Sequence, residues 1–523
     1  MFVLFVSAAL VPVAAGGTLP VPQKIHASDG TPADSFGSDI AMYGDVAVVA
    51  ARRADDDHGA AYVFRRDAAG AWVEEQKLVT SGAANEIGYF TSVDLSGDVV
   101  AVGRWPATFD PFSSAIGSAY VFRRNGLGFW QQETKLSIST GFGSSVAVVG
   151  DWLFVGDVTD DQKATDAGAV RVFRFDAAAK SWTLQQTVFA SNTASQGHFG
   201  FRLSADGDAF VASANEWVGG VWTKTAHVFR RGVSDLWIHE ATLAIAGLAP
   251  TVNFGSSLSI KGEHVVVGAP ELSPSGNSAA YIFERSPLGA WSLAATLATP
   301  ATDNSHAFGA DVALSGNRVL VGAGMERAFF FDRDSGGSWV HTGTATAPDQ
   351  SDNNFGEVVA LDGGFAAIGA PADADFGLEA GAAYLYDFSP PTFVQHGIGC
   401  PGSGGVVPQL VMTGAPTSGS QVQLSVSNGV GSGSTVLAVG LGAGSVSMGY
   451  GCMLNIGPVP LIMLGPLLLF PLGAQGPGAG SISFGATLPP SLPPVAIGVQ
   501  AFVVDAGIAH GFSNTNGVVF TIQ

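Results

Sequence analysis

The tightest constraint on this chain is a motif that returns seven times. Anchors stand at Phe36-Gly37, Tyr89-Phe90, Phe142-Gly143, Phe199-Gly200, Phe254-Gly255, Phe308-Gly309 and Phe355-Gly356. Nine residues after each comes a turn residue preceded by Gly, as in "MYGD", "LSGD" and "LSGN". A unit of about fifty residues has no room to bury its own apolar face, so stacked copies, in an array or a propeller, are the way such a period folds.

Each unit reads as four short strands. "FGSSLSI" alternates at period two, "HVVVGA" is continuously apolar, "AAYIFER" is aromatic, and "AWSLAATL" opens on Trp. The pattern predicts an all-β fold, a seven-bladed β-propeller of four-stranded blades over residues 21 to 388. The strand-opening Trp recurs only six times (Trp72, Trp130, Trp182, Trp237, Trp291, Trp339), because the seventh unit stops after "GAAYLYDF" at Phe388. The N-terminal "VPQKIHASDG" matches the fourth strands "VEEQKLVTSG" and "QQETKLSIST". The first ordered strand is therefore expected to complete the last blade and pair its open edge.

Composition narrows the partners and the compartment. A formal charge of −20 disfavours a phosphate-tracking surface, which needs clustered Lys and Arg, so nucleic acid is not an expected partner. Residues 1 to 15, "MFVLFVSAALVPVAA", are apolar, end in small residues and are too short to span a bilayer; they read as a signal peptide without the usual basic start. The expected location is secreted or cell-surface. In that setting the chain's two cysteines, Cys400 and Cys452, are expected to form one disulfide.

The seven repeats resemble the FG-GAP repeats of the integrin alpha-subunit propeller and of many exported bacterial proteins. The resemblance implies the same seven-bladed ring and suggests adhesion. It also raises calcium, which that family holds in an Asp-rich loop between the first and second strands. Here that connection is only "SGD", "KGE" or "SGN", with too few oxygens to surround a cation that takes six to eight. No cofactor is expected, and calcium is not expected in these hairpins.

Constant hairpins on one face leave the variable loops on the other, and binding usually resides on such loops. The candidate ligand face comprises Asp55, Asp56, Asp57 and His58 in "RRADDDHG", Trp105, Phe109 and Phe112 in "RWPATFDPFSSAIG", and Trp217 and Trp222 in "ANEWVGGVWTKTA". Asp373 and Asp375 have the most ligand-like spacing for a metal; otherwise the acidic clusters, including Asp157, Asp160, Asp161 and Asp166, read as solvated loop carboxylates. The aromatics would stack on a sugar or anchor a protein, or pack within their own loops. Arg residues ending the third strands are placed to stack on the following Trp.

From residue 394 to 523 the only Asp, Glu, Lys or Arg is Asp505, and short apolar runs between Gly, Ser and Pro predict a small β-sandwich. Prolines at 458, 460, 466 and 471 interrupt the apolar run "GPVPLIMLGPLLLFPLGA", so it reads as buried strand and bend with no transmembrane span. With few charges, this domain is expected to contact the cell surface or another subunit. No catalytic motif such as Gly-x-Ser-x-Gly or His-Glu-x-x-His occurs. The leading expectation is a non-catalytic binding or adhesion protein for an extracellular protein or glycan. The alternatives are a carbohydrate-active lyase or hydrolase with its site in the propeller mouth, and a structural cell-envelope protein.

Overall fold

The computed structural model describes residues 19–67, 70–80, 88–106, 116–218, 221–249, 251–271, 278–300, 307–324, 327–347, 353–388, 394–396, 399–414, 421–431, 434–441, 443–449, 452–456, 462–463, 470–471, 476–487, 495–505, 507 and 512–522. The signal-peptide residues lie outside them. The chain divides into two units, residues 1–388 and 389–523.

The first unit is a seven-bladed propeller. Blade 1 is the antiparallel sheet Phe36–Tyr43, Val46–Ala51, Ala60–Arg66 and Trp72–Leu78, in sequence order from the inside out. Blades 2 to 6 repeat that order, and the innermost strands of all seven touch in a closed ring. Blade 7 supplies Val359–Asp362, Phe365–Ala370 and Ala382–Asp387, and its fourth strand is Gln23–Ile25 from the N-terminus. Gln23, Lys24 and Ile25 pair with Leu385, Tyr384 and Ala383, which is the closure read from the sequence.

The core lies between blades. Seven apolar clusters each join one blade to the next, and second strands feed two of them at once: Val265, Val267 and Ala269 face blade 4, while Val266 faces blade 6. Burial on both faces explains why those strands read as unbroken apolar runs. The anchor Phe of each blade plugs its seam with the preceding blade: Phe36, Phe142, Phe199, Phe308 and Phe355 are all fully buried. In blade 2 the plug is Phe90, one residue later than the sequence match at Tyr89. A bulge between Phe90 and Ser92 absorbs the offset, and Tyr89 faces the central channel.

The two glycines of the repeat meet each other. A Cβ on Gly268 would stand 2.2 Å from the carbonyl of Gly309, and Gly156, Gly322 and Gly369 have the same relation to Gly200, Gly356 and Gly37 at 2.1, 2.2 and 2.2 Å. The anchor glycines hold φ between +81° and +92°, which a side chain rarely adopts. Close backbone approach thus fixes both ends of the motif.

In the second unit, Val394–His396, Phe512–Ile522, Val495–Val504, Ser434–Leu441 and Ile462–Met463 form one sheet, with Phe470–Pro471 also on Ser434–Leu441. Gln409–Gly414, Gln421–Gly431 and Gly476–Thr487 form a second. The buried faces Leu410, Met412, Val422, Leu424 and Val426, and Val499, Ala501, Val503 and Val518, are those alternation predicts. The "SNTNG" run is a buried polar clasp: Asn514 Oδ1 accepts from the Cys400 amide at 2.7 Å, and Asn516 bonds both the amide and the carbonyl of Leu410. Asp505, the lone charge, is buried and accepts from the Ser403 amide and hydroxyl at 2.5 and 2.6 Å. Cys400 is buried; the Cys452 side chain lies outside the described residues. Most of the proline-rich apolar run does too, and among the described residues no helix is long and apolar enough to cross a membrane.

Candidate functional site

Backbone hydrogen bonds assign the two faces of the ring. In all seven blades the hairpin turn residue (Asp45, Asp98, Asp151, Asp208, Glu263, Asn317, Gly364) lends its carbonyl to an amide at the end of the third strand, at 2.7 to 2.9 Å. That shared bond keeps these connections at two residues. On the opposite face the second-to-third connection of one blade bonds the approach to the next: Ser35 N to Glu379 O at 2.9 Å, and His198 N to Asp166 O at 3.0 Å. The variable connections therefore share one face.

The predicted residues on that face do not gather at one place. Asp55, Asp56 and Asp57 form a left-handed turn with φ of 56°, 59° and 63°. Lys77 Nζ lies 2.8 Å from Asp55, Arg53 holds Asp57 at 3.0 Å, and His58 Nδ1 sits 2.6 Å from the Asp55 carbonyl. Asp373 is buried, and the Lys24 ammonium lies 2.7 Å from both Asp373 and Asp375, where the spacing suggested a metal. Among the described residues no group of three or more His, Cys, Asp or Glu is arranged to hold a metal ion. Asp157 and Asp160 are not solvated: both are buried against Arg171, which lies 2.7 Å from Asp157. Phe109 and Phe112 lie outside the described residues.

Two further readings are corrected. "ANEWVGGVWTKTA" is a β-hairpin, Ala209–Val218 paired with Val221–Arg231, in which Trp217 and Trp222 are cross-strand partners; their side chains lie outside the described residues. Symmetric β-formers about Gly-Gly extend the ladder where other blades have loops. The third-strand arginines do not stack on the following Trp. Arg66 lies over Phe365 at 5.2 Å, Arg123 over Phe175 at 4.1 Å and Arg231 over Trp152 at 5.5 Å. The indoles instead donate to carboxylates of the preceding blade, Trp182 to Glu133 at 2.8 Å and Trp291 to Glu240 at 3.0 Å.

Of the predicted aromatics, Trp105 borders a cavity. At the seam between blades 4 and 5 Ser213 occupies the place of the second-strand glycine, as Ala50 does in blade 1, and a Cβ on Gly255 would stand 3.2 Å from the Ser213 Cβ. Beside this seam, on the variable face, lies a pocket of about 490 Å3. Its walls include Trp105, Phe201, Phe254 and His198, and its polar groups include Asn215, Asn253 and Lys224. Lys224 is half-buried and donates to Asn253 Oδ1; burial alone holds its pKa below the usual lysine range. Lys224 and Asn253 escaped sequence reasoning, and His198, read from the sequence as an ordinary surface or half-buried residue, lines the pocket.

Trp105 and Phe201 also border the central channel, about 720 Å3, lined by the first strands. Side chains there staple blade to blade: Asp39 accepts from Val93 N at 2.7 Å, Asp94 from Val148 N at 2.6 Å and Asp311 from Val359 N at 2.8 Å, while Ser204 and Ser259 do the same for Ile260 and Leu314. The three carboxyls are half-buried and line the channel. Confinement by surrounding protein pushes Asp39 up to about 6 and Asp94 and Asp311 to about 7, against the backbone N–H bonds that favour the charged form.

The first unit is thus a seven-bladed propeller with its cavity on the variable face. FG-GAP repeats match at residues 22–64, 72–122 and 339–386. No curated protein matches the chain. Among solved structures it is similar to the phage phi92 endosialidase, at 12% identity and a TM-score of 0.39, over 72% of this chain and 70% of that one. Likeness that slight carries no argument about activity.

Proposed function

We propose that this is an exported binding protein, secreted or held at the cell surface, that takes an extracellular protein or glycan ligand on the variable face of its propeller. The pocket beside the seam of blades 4 and 5 supports this reading most directly: it is concave, largely apolar, and carries a few convergent polar groups. A disulfide between Cys400 and Cys452 and a signal peptide at residues 1 to 15 accord with export. The nearly uncharged second unit suits contact with a surface or another subunit. Glycan and protein arrays probed with the full chain, with and without a calcium chelator, test the reading. Hits should disappear on Trp105→Ala at unchanged melting temperature and survive chelation; hits indifferent to Trp105 refute the face.

A second reading, a carbohydrate-active enzyme, is favoured by the channel acids Asp39, Asp94 and Asp311, whose raised pKa values suit proton donation near neutrality. Each acid is already engaged by two backbone amides, which favours the stapling role. Turnover of polysaccharide substrates that is lost on Asp94→Asn would establish the enzyme reading.

A further inference from the structure

We propose that the pocket between blades 4 and 5 binds a ligand carrying one carboxylate on an apolar, ring-bearing body, with the Lys224 ammonium as its counter-charge. This rests on the variable face being the binding face and names the chemistry of its ligand.

Charge complementarity carries the argument. The chain has an excess of 20 carboxylates over Lys and Arg, and its lysines find them readily whether partly buried, as Lys24 and Lys77 are, or exposed, as Lys261 is. Lys24 lies 2.7 Å from Asp373 and Asp375, Lys77 lies 2.8 Å from Asp29 and Asp55, and Lys261 lies 3.1 Å from Asp206. Lys224 differs. Among the described residues its polar partner is the neutral Asn253 side chain, and no carboxylate comes within ion-pairing distance. Keeping an ammonium half-buried against apolar walls without a counter-ion costs free energy. The lowering of its pKa by burial, with no charged neighbour contributing, reports the same imbalance.

The surroundings narrow the counter-ion. Glu216, the nearest acid in sequence, lies 3.2 Å from His227 in the seam with blade 3, since alternate residues of its strand face opposite sides. One ammonium matches one negative charge, whereas a phosphate dianion calls for several strong donors. Asn215, the cross-strand partner of Lys224, brings a carboxamide to the same pocket. Trp105, Phe201 and Phe254 supply aromatic walls, and the volume of about 490 Å3 suits a ring-bearing small molecule or the acidic end group of a larger one.

Isothermal titration of the full chain with 2-naphthoate and with its neutral isostere 2-naphthamide tests the proposal. The acid should bind at least about tenfold more tightly than the amide, and Lys224→Gln should abolish that preference, while Lys224→Arg retains it. Raising the pH through the lysine's titration should weaken the acid alone. Equal binding of acid and amide, a preference that survives Lys224→Gln, or no binding of either overturns the proposal. Should Lys224→Gln fail to fold, the wild-type comparison and its pH dependence decide alone. Array hits that depend on Trp105 while neither naphthalene probe binds would refute the ligand chemistry and leave the binding face standing.

Discussion

Deleting residues 21 to 28 removes the outer strand of blade 7, and the cost can be worked from its contacts. Ile25 is 5% exposed within the cluster joining blades 7 and 1, so its side chain is worth about 1.5–3 kcal/mol. Gln23 donates to the Trp72 carbonyl at 2.7 Å and accepts from the Trp72 amide at 2.8 Å, a pair worth about 1–3 kcal/mol. Together these put the loss near 3–6 kcal/mol, before the charge left on buried Asp373 when Lys24 goes. The same clasp recurs inside the ring, from Gln76 to Trp130 and from Gln186 to Trp237. Urea titration of Gln23→Ala, Gln76→Ala and Gln186→Ala therefore has a built-in standard: all three should lose about 1–3 kcal/mol. The deletion should unfold at markedly lower urea and regain stability when a peptide of residues 19 to 30 is added. An unchanged midpoint in the deletion, or a Gln23→Ala cost near zero beside a normal Gln76→Ala cost, refutes closure by this strand.

Glycine substitutions should separate seam from hairpin. Gly356→Ala places a Cβ 2.1 Å from the Arg327 carbonyl at φ +90° and should cost about 3 kcal/mol or more, whereas Gly316→Ala, at φ +57° with open space around it, should cost about 1–2 kcal/mol by chemical denaturation. Because Asp39, Asp94 and Asp311 hold protons more tightly folded than unfolded, their contribution is full below about pH 4 and lost as pH rises through about 6 to 7. Glu75 and Glu240 are shifted the opposite way: desolvation, the largest single influence, raises them, but hydrogen bonds from Arg124 and Trp130 and from Arg285 and Trp291, with the nearby guanidinium charges, together outweigh it, so their contribution is lost as pH falls below about 4.5. Thermal melts should therefore favour mildly acidic over neutral pH, and Asp94→Asn should flatten the fall between pH 4 and 7. Denatured, unreduced protein should show no free thiol, and Cys452→Ser should lower the stability of the second unit by about 2–5 kcal/mol.

The ring was legible because seven copies average out local ambiguity. Strand pattern, hairpin turn and anchor Phe recur with the scaffold, and even closure followed from matching "VPQKIHASDG" to the fourth strands. Single side chains were less legible. Whether Asp157 is solvated or locked against Arg171 depends on a strand fourteen residues on, and the Lys24 ammonium reaches Asp373 from the far end of the propeller chain. Local sequence carries no trace of a partner brought up by ring closure.

By itself, then, the sequence determined the number of blades, the strands within each, the faces they turn inward and the point where the ring closes, since all of these follow from periodicity and backbone demands that repeat. Tertiary structure alone decided where the pocket lies and what lines it. Trp105, Val158, His198, Phe201, Lys224 and Phe254 come from four different blades and share no pattern along the chain, so only closure of the ring brings them to one space.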